Sequence, residues 1–208
     1  DFGREVKPTR AAGLPVFWVR KTKDVPAEAV GVPYGPCEAV RAWLKKTDPQ
    51  TLQVTFDRPE ALLANLRSTP AALATLTASL PDEAWKKTPA PAEWCLTEII
   101  CHLRDVEREV TLPRIRRVLA EENPFLVGEV TDVWVKDRQC ARQDGHQALA
   151  DFTTARKQAL ELLDGLEDEW SRPARHAIFG PTTLQELIGF TAGHDRAHVQ
   201  QTWKTIKK

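Results

Sequence analysis

The spacing of apolar residues changes near residue 57. From there on they recur every three or four positions, the period of an α-helix that buries one face. Leu62, Leu66, Leu73, Leu76 and Leu80 form the first stripe, interrupted by Pro70 and closed by Pro81. Thr69-Pro70 reads either as an N-cap followed by proline at the first helical position, or as a kink in one continuous helix. A second helix starts near Cys95 and carries Leu96, Ile99, Leu103, Val106 and Val110 on one face. Pro113 kinks or splits it, and Asn123-Pro124 ends it. A third runs from about Gln147 to Leu166, with Leu149, Phe152, Ala159, Leu163 and Leu166 inward and Gly165 marking its end. The fourth starts at Thr182 or Thr183 and continues to about Ile206; Glu186 completes a capping box if Thr183 is the cap. Residues 124–146 read as a long, partly irregular connection, and residues 167–181 as a loop. Four long amphipathic helices predict an all-α fold, an antiparallel four-helix bundle over 57–208.

Residues 1–56 lack this period. Pro8, Pro15, Pro26, Pro33, Pro36 and Pro49 punctuate them, together with glycines at 3, 13, 31 and 35. Such punctuation excludes long helices. The stretch is predicted to be a Pro/Gly-rich N-terminal extension or small subdomain. Val16-Phe17-Trp18-Val19 reads as a short strand and Glu38–Lys46 as one short helix. No catalytic motif falls here.

Composition narrows the function classes. The chain has 208 residues, 42% hydrophobic and 28% charged, enough apolar surface for a packed core. Lys+Arg and Asp+Glu are both 29, so the net charge is zero and the main argument for a nucleic-acid partner is missing. No apolar run approaches the length of a transmembrane helix, and no signal peptide is visible, so no membrane partner is expected. Cys37, Cys95, Cys101 and Cys140 form no C-x-x-C pair. They are expected to be reduced thiols in a cytoplasmic protein.

The candidate chemistry lies in histidines. His194-Asp195-Arg196-Ala197-His198 places two imidazoles on one face of the fourth helix, about 6 Å apart along its axis. They prolong the stripe of Leu187 and Phe190, and Gln201 continues it one turn later. His102 borders the Ile99, Leu103 and Val106 face of the second helix. Facing helices of a bundle are where metal sites are built. Three neutral imidazoles with a position left over make a catalytic type of site rather than a closed structural one. The H-D-x-x-H run also resembles the zincin H-E-x-x-H, but the ten residues after His198 contain no His, Asp or Glu to serve as a further ligand.

The stretch from Trp94 to Asp105, WCLTEIICHLRD, resembles the W-[ST]-x-x-E-[IV]-x-x-H-[LI]-x-[DE] signature of the DinB-like family. His194-Asp195-x-x-His198-x-x-Gln201 resembles that family's second signature, at a similar separation of about 90 residues. The resemblance covers roughly residues 57–208. It implies a four-helix bundle and a divalent metal, zinc or nickel before iron, manganese or cobalt, on His102, His194 and His198. Cys95 departs from the usual Ser or Thr and bears on how the second helix starts.

Four other residues are candidates for supporting the metal or contacting substrate. Arg156 falls on or beside an apolar face, so it is expected to pair with a carboxylate such as Glu98 or Glu107, or to clamp an anion near the metal. Asp105, one turn after His102, is a candidate for orienting an imidazole or for an ordinary ion pair. Asp195 and Gln201 are candidates for positioning a nucleophile. His146 and His176 are expected to be solvated, and the tryptophans to serve packing. The resulting expectation is a metal-dependent enzyme that activates a water or thiol, as a thiol-dependent transferase or a hydrolase. Its expected partners are a small-molecule substrate, in particular a low-molecular-weight thiol, and a second copy of the chain in a homodimer. The alternative is a non-catalytic metal-binding or stress-response protein with a structural metal.

Overall fold

The computed structural model describes residues 17–19, 32–36, 39–40, 42–43 and 57–207. Contacts divide the chain into two units, Asp1–Thr55 and Phe56–Lys208. In the first unit, β1 (Trp18–Val19) pairs in parallel with β2 (Tyr34–Gly35). Residues 39–40 and 42–43 are helical, and the Phe17 ring lies 5.5 Å from that of Trp43. Of the strand predicted over 16–19, Phe17 is described but lies outside β1; Val16 and the rest of the helix predicted over 38–46 lie outside the described residues.

The second unit is the predicted antiparallel four-helix bundle. Its first long helix, α1 (Pro59–Thr77), has Pro59 in its first turn and runs unbroken through Pro70. Pro81 stops the chain and starts the short α2 (Asp82–Lys86). Helix α3 (Leu96–Val106) begins at Cys95, where Glu98 returns to accept the Cys95 N–H at 2.8 Å in a capping box. A wide π-type turn, Glu107–Thr111, joins it to α4 (Leu112–Ala120). Pro113 has no N–H to offer the turn before it, and the extra residue of a π turn sits where that bond would fall. The connection predicted to be irregular contains the short helix α5 (Asp132–Asp137) and a 3₁₀ turn at Cys140–Arg142. Helix α6 (Gly145–Leu163) is capped by Asp144, which accepts the Gln147 N–H at 3.0 Å, and Gly165 beyond its end takes φ +72°. Helix α7 (Leu184–Ile206) starts with the Thr183–Glu186 capping box. Helices α1 and α3 each pack against both α6 and α7.

The segment predicted as a loop at 167–181 is more ordered than its sequence suggests. It holds a 3₁₀ turn at Asp168–Ser171 and a hairpin of β4 (Pro173–His176) and β5 (Gly180–Thr183). In parallel with β4 runs β3 (Phe125–Leu126), completing a three-stranded sheet. Only Ala174 and His176 of β4 alternate inward, too short a period-two signal to stand out in the sequence. His176 is accordingly buried rather than solvated, its Nδ1 facing the Ile178 and Phe179 N–H groups at 3.2 and 3.4 Å.

The apolar core of the bundle falls into two clusters. One holds Leu62, Leu66, Leu112, Ile115, Ala159 and Ala192; the other holds Leu73, Leu103 and Phe152, with Val199 packed against it. On α1, the π turn, α6 and α7 a polar residue falls between the two: Thr69, Glu107, Arg156 and Asp195. Arg156, 1% exposed, donates to both Glu107 oxygens at 2.8 and 2.9 Å and to Asp195 Oδ1 at 3.1 Å. It also donates at 3.2 Å to the Leu66 carbonyl. That carbonyl is the one that Pro70, four residues on and lacking an N–H, cannot pair. A buried ionic layer thus crosses the core and fixes α1, the π turn, α6 and α7 to one another. Among the described residues, no helix is long and apolar enough to cross a membrane.

Candidate metal centre

The ionic layer adjoins the histidines. His102, 2% exposed, projects from α3 four residues after Glu98 and five before Glu107; His194 and His198 project from successive turns of α7 on either side of Asp195. The three Nε2 atoms converge: His102 to His194 is 3.0 Å and His194 to His198 is 3.1 Å. Tetrahedral zinc with Zn–N bonds of about 2.0–2.1 Å sets its nitrogens ~3.3 Å apart, so the spacing suits a small divalent cation. Gln201, one turn further, places Oε1 2.8 Å from His198 Nδ1. An amide oxygen only accepts, so Nδ1 carries the proton and Nε2 is left with its lone pair. Nδ1 of His102 is buried beside the Thr131 backbone without a hydrogen bond of good geometry.

All three imidazoles are held neutral. Burial, then the neighbouring His198 and His194, push the His102 pKa down to about 3. Burial and then His198 push His194 down to about 4, and burial lowers His198 as well. The negative charge of Asp195 acts on His194 and His198 in the opposite sense, favouring a positive charge at the cluster. The layer behind them sums to one net negative charge, two carboxylates against one guanidinium. Neutral ring nitrogens converging on one spot, with a residual negative charge behind them, are the donor chemistry of a cation site. Among the described residues, this is the cluster of His, Cys, Asp and Glu whose spacing suits a metal ion.

The site is walled on one side and open on the other. Trp94 lies nearly parallel to the His198 ring at 6.0 Å and tilted against the His102 ring at 5.0 Å. On another side, His194 and Asp195 line a cavity of about 290 Å³ between α3–α4 and α7. Phe179 and Phe190, stacked at 3.9 Å, form part of its wall. Phe190 is 48% exposed, so it belongs to the mouth of the cavity rather than to a closed core stripe.

The other sequence candidates lie as follows. Arg156 and Asp195 are joined in the ionic layer, with Glu107 and not Glu98 as the second carboxylate. Asp105 pairs with arginines, 2.7 Å from Arg104 and 3.1 Å from Arg138. Gln201 touches the site directly. A further carboxylate, at the first position of α5, has no counterpart in the sequence reading. Asp132 Oδ1 lies 4.0 Å from His102 Nε2, with its side chain 79% exposed. Its negative charge also reaches His194 and His198. A short helix inside an irregular connection gives no periodic signal, so only the three-dimensional proximity reveals it.

Comparison with known proteins bears on the family and the fold. The sequence profile of the DinB superfamily matches residues 65–202. The chain is 24% identical over 143 residues to the uncharacterized protein YuaE of Bacillus subtilis (strain 168), covering 62% of this chain and 86% of YuaE. The structure is similar to that of YfiT from Bacillus subtilis, described as "a probable metal-dependent hydrolase with an unusual four-helix bundle topology". The TM-score is 0.64 at 19% identity, over 74% of this chain and 88% of that one. At this identity the likeness concerns the fold.

Proposed function

Because the chain belongs to the DinB superfamily, we propose that it is a metal-dependent enzyme in which His102, His194 and His198 hold one divalent cation beside the cavity and a water or thiol is the nucleophile. The observation that carries this reading is the convergence of three Nε2 atoms, at 3.0 and 3.1 Å, at the edge of a cavity and not inside a closed core. A cation bound there would supply Lewis acidity, which lowers the pKa of a nucleophile and polarises the bond it attacks.

The protein's own groups prepare that chemistry. Gln201 keeps the proton of His198 on Nδ1, away from the convergence point. Arg156 holds Asp195 and Glu107, and through them sets the registers of α7 and of the turn after α3 that present the three rings. Asp195 is therefore occupied in structure, and so is Asp105. Asp132, largely exposed and 4.0 Å from His102 Nε2, is the carboxylate beside the imidazoles that no arginine pair occupies. Its role in this reading is to take the proton of the attacking water or thiol. The open side and the adjoining cavity favour catalysis over a purely structural ion.

The test is a screen of the metal-loaded chain against chromogenic esters and against an electrophile plus a low-molecular-weight thiol. Activity is expected to vanish with a chelator and return with zinc or nickel. Asp132→Asn should lower kcat by about 10²–10⁴-fold, as loss of a general base does, while metal content stays at the wild-type value. Activity indifferent to chelation would refute the assignment.

A further inference from the structure

The cavity that opens beside His194 carries one feature the histidine site does not use. Arg114, on α4, lines it, half-buried. Several arginines on the surrounding helices are paired with carboxylates: Arg104 with Asp105, Arg117 with Glu121, Arg138 with Glu109, Arg156 with Glu107 and Asp195. Arg114 makes no ion pair within 4.0 Å among the described residues. Its Nη2 donates to the Val127 carbonyl at 2.6 Å, which fixes the side chain but leaves its charge unmatched. Glu129, exposed at the rim, is the carboxylate that acts on it from a distance. A partly desolvated guanidinium with no carboxylate in contact favours an anion that supplies one, and its planar fork matches a carboxylate in two parallel hydrogen bonds.

The position of Arg114 also matters. It follows His102 by twelve residues of nearly continuous helix, ~15–18 Å of rise. The cavity extends along α7 from Leu184 to His194, ~15 Å on the same scale. The walls of the cavity are mostly apolar, with Val110, Leu187, Phe179 and Phe190 among them and Thr111 and Thr191 interspersed. A volume of about 290 Å³ is at the small end for an organic ligand. With Asp132 counted, four carboxylates (Glu107, Asp195, Glu129 and Asp132) stand against Arg156 and Arg114, an excess of two negative charges that a divalent cation on three neutral imidazoles would neutralise, so Arg114 is the cationic group that an anion in the cavity would meet.

From this arrangement we infer that the cavity takes a slender organic carboxylate, with its anionic head on Arg114, its apolar body between the two helices and its other end toward the histidines. The inference rests on the proposed function for the identity of that other end, and names the substrate class of the same site. Arg114 is its specificity-determining residue.

Calorimetric titration of the zinc-loaded full chain with 6-phenylhexanoate and with its neutral twin 6-phenylhexanamide tests this, with zinc content measured on each sample. The acid should bind at least about tenfold more tightly than the amide, the scale of a charge-assisted pair. Arg114→Gln should abolish that preference while zinc content is unchanged. Glu129→Gln, which leaves Arg114 in place, should tighten the acid severalfold and guards against misfolding of the first variant. Equal affinity for acid and amide, binding of neither, or unchanged acid affinity in Glu129→Gln would overturn the inference. So would a preference that survives Arg114→Gln but disappears when zinc is stripped, since the anion would then sit on the metal. Failure of the metal reading appears separately, as a chain without zinc, and the Arg114 dependence of acid binding is still read in that sample.

Discussion

An imidazole binds a cation through a lone pair, so each histidine ligand must be free of its second proton at working pH. Burial secures this here, holding His102 down to about 3 and His194 to about 4, against about 6.5 in an unfolded chain. The sign of the linked stability follows. Above pH 6.5 both states carry neutral rings and nothing is lost. As pH falls from 6.5 toward 4, the unfolded chain takes up protons that the folded chain refuses, and stability declines. The metal-free protein should lose about 3–5 kcal/mol between pH 7 and pH 4.5 through these two groups. Urea denaturation at both pH values measures it, and a His102→Gln, His194→Gln chain should show a much flatter dependence; an unchanged dependence would contradict it. The i,i+4 spacing of His194 and His198, and Gln201 one turn on, were legible because neighbours on one helix face are fixed by the helix itself. The position of Asp132 and the Trp94 ring against two imidazoles were not, because the chain segments that bring them there carry no period.

Arg156 shows how helices that form independently are made to agree. It sits between the two apolar clusters, bound to Glu107 of the turn after α3, Asp195 of α7 and the Leu66 carbonyl of α1. Taking away one partner of such a buried set strands the others, at a cost of about 3–5 kcal/mol. Arg156→Met should therefore lower unfolding free energy by that amount in chemical denaturation. Replacing Glu107 and Asp195 by leucine in the same chain should recover most of it. A single variant as stable as wild type would show that the layer contributes nothing. The pairing of Arg156 with Glu107 was legible as one of two carboxylates, since a buried guanidinium demands a partner. Asp195 as the second was hidden by its place between two candidate ligands. Pro70 left two readings open, and the continuous helix is realised because Arg156 takes over the carbonyl that the proline leaves unpaired. β3 and β4 fell inside segments read as connections, and β5 ran from one into the residues read as the start of the last helix, since two to four residues give little strand signal.

The bundle was the most legible feature of the chain, because four stripes of 3.6-residue period leave few ways to bury their faces at once. Its membership in the DinB superfamily rests on the same span, residues 65–202. The bundle brings together two motifs separated by 92 positions, and the open side of the resulting site faces a cavity. Everything proposed for the activity depends on a cation being held at that point. The most direct measurement is the zinc or nickel content of the reconstituted chain after exhaustive dialysis, beside His102→Ala, His194→Ala and His198→Ala chains shown by circular dichroism to remain helical. Close to one ion per wild-type chain, and a small fraction of that in each variant, is the predicted result. A wild-type chain that retains no divalent ion, or variants that retain as much as wild type, would contradict it.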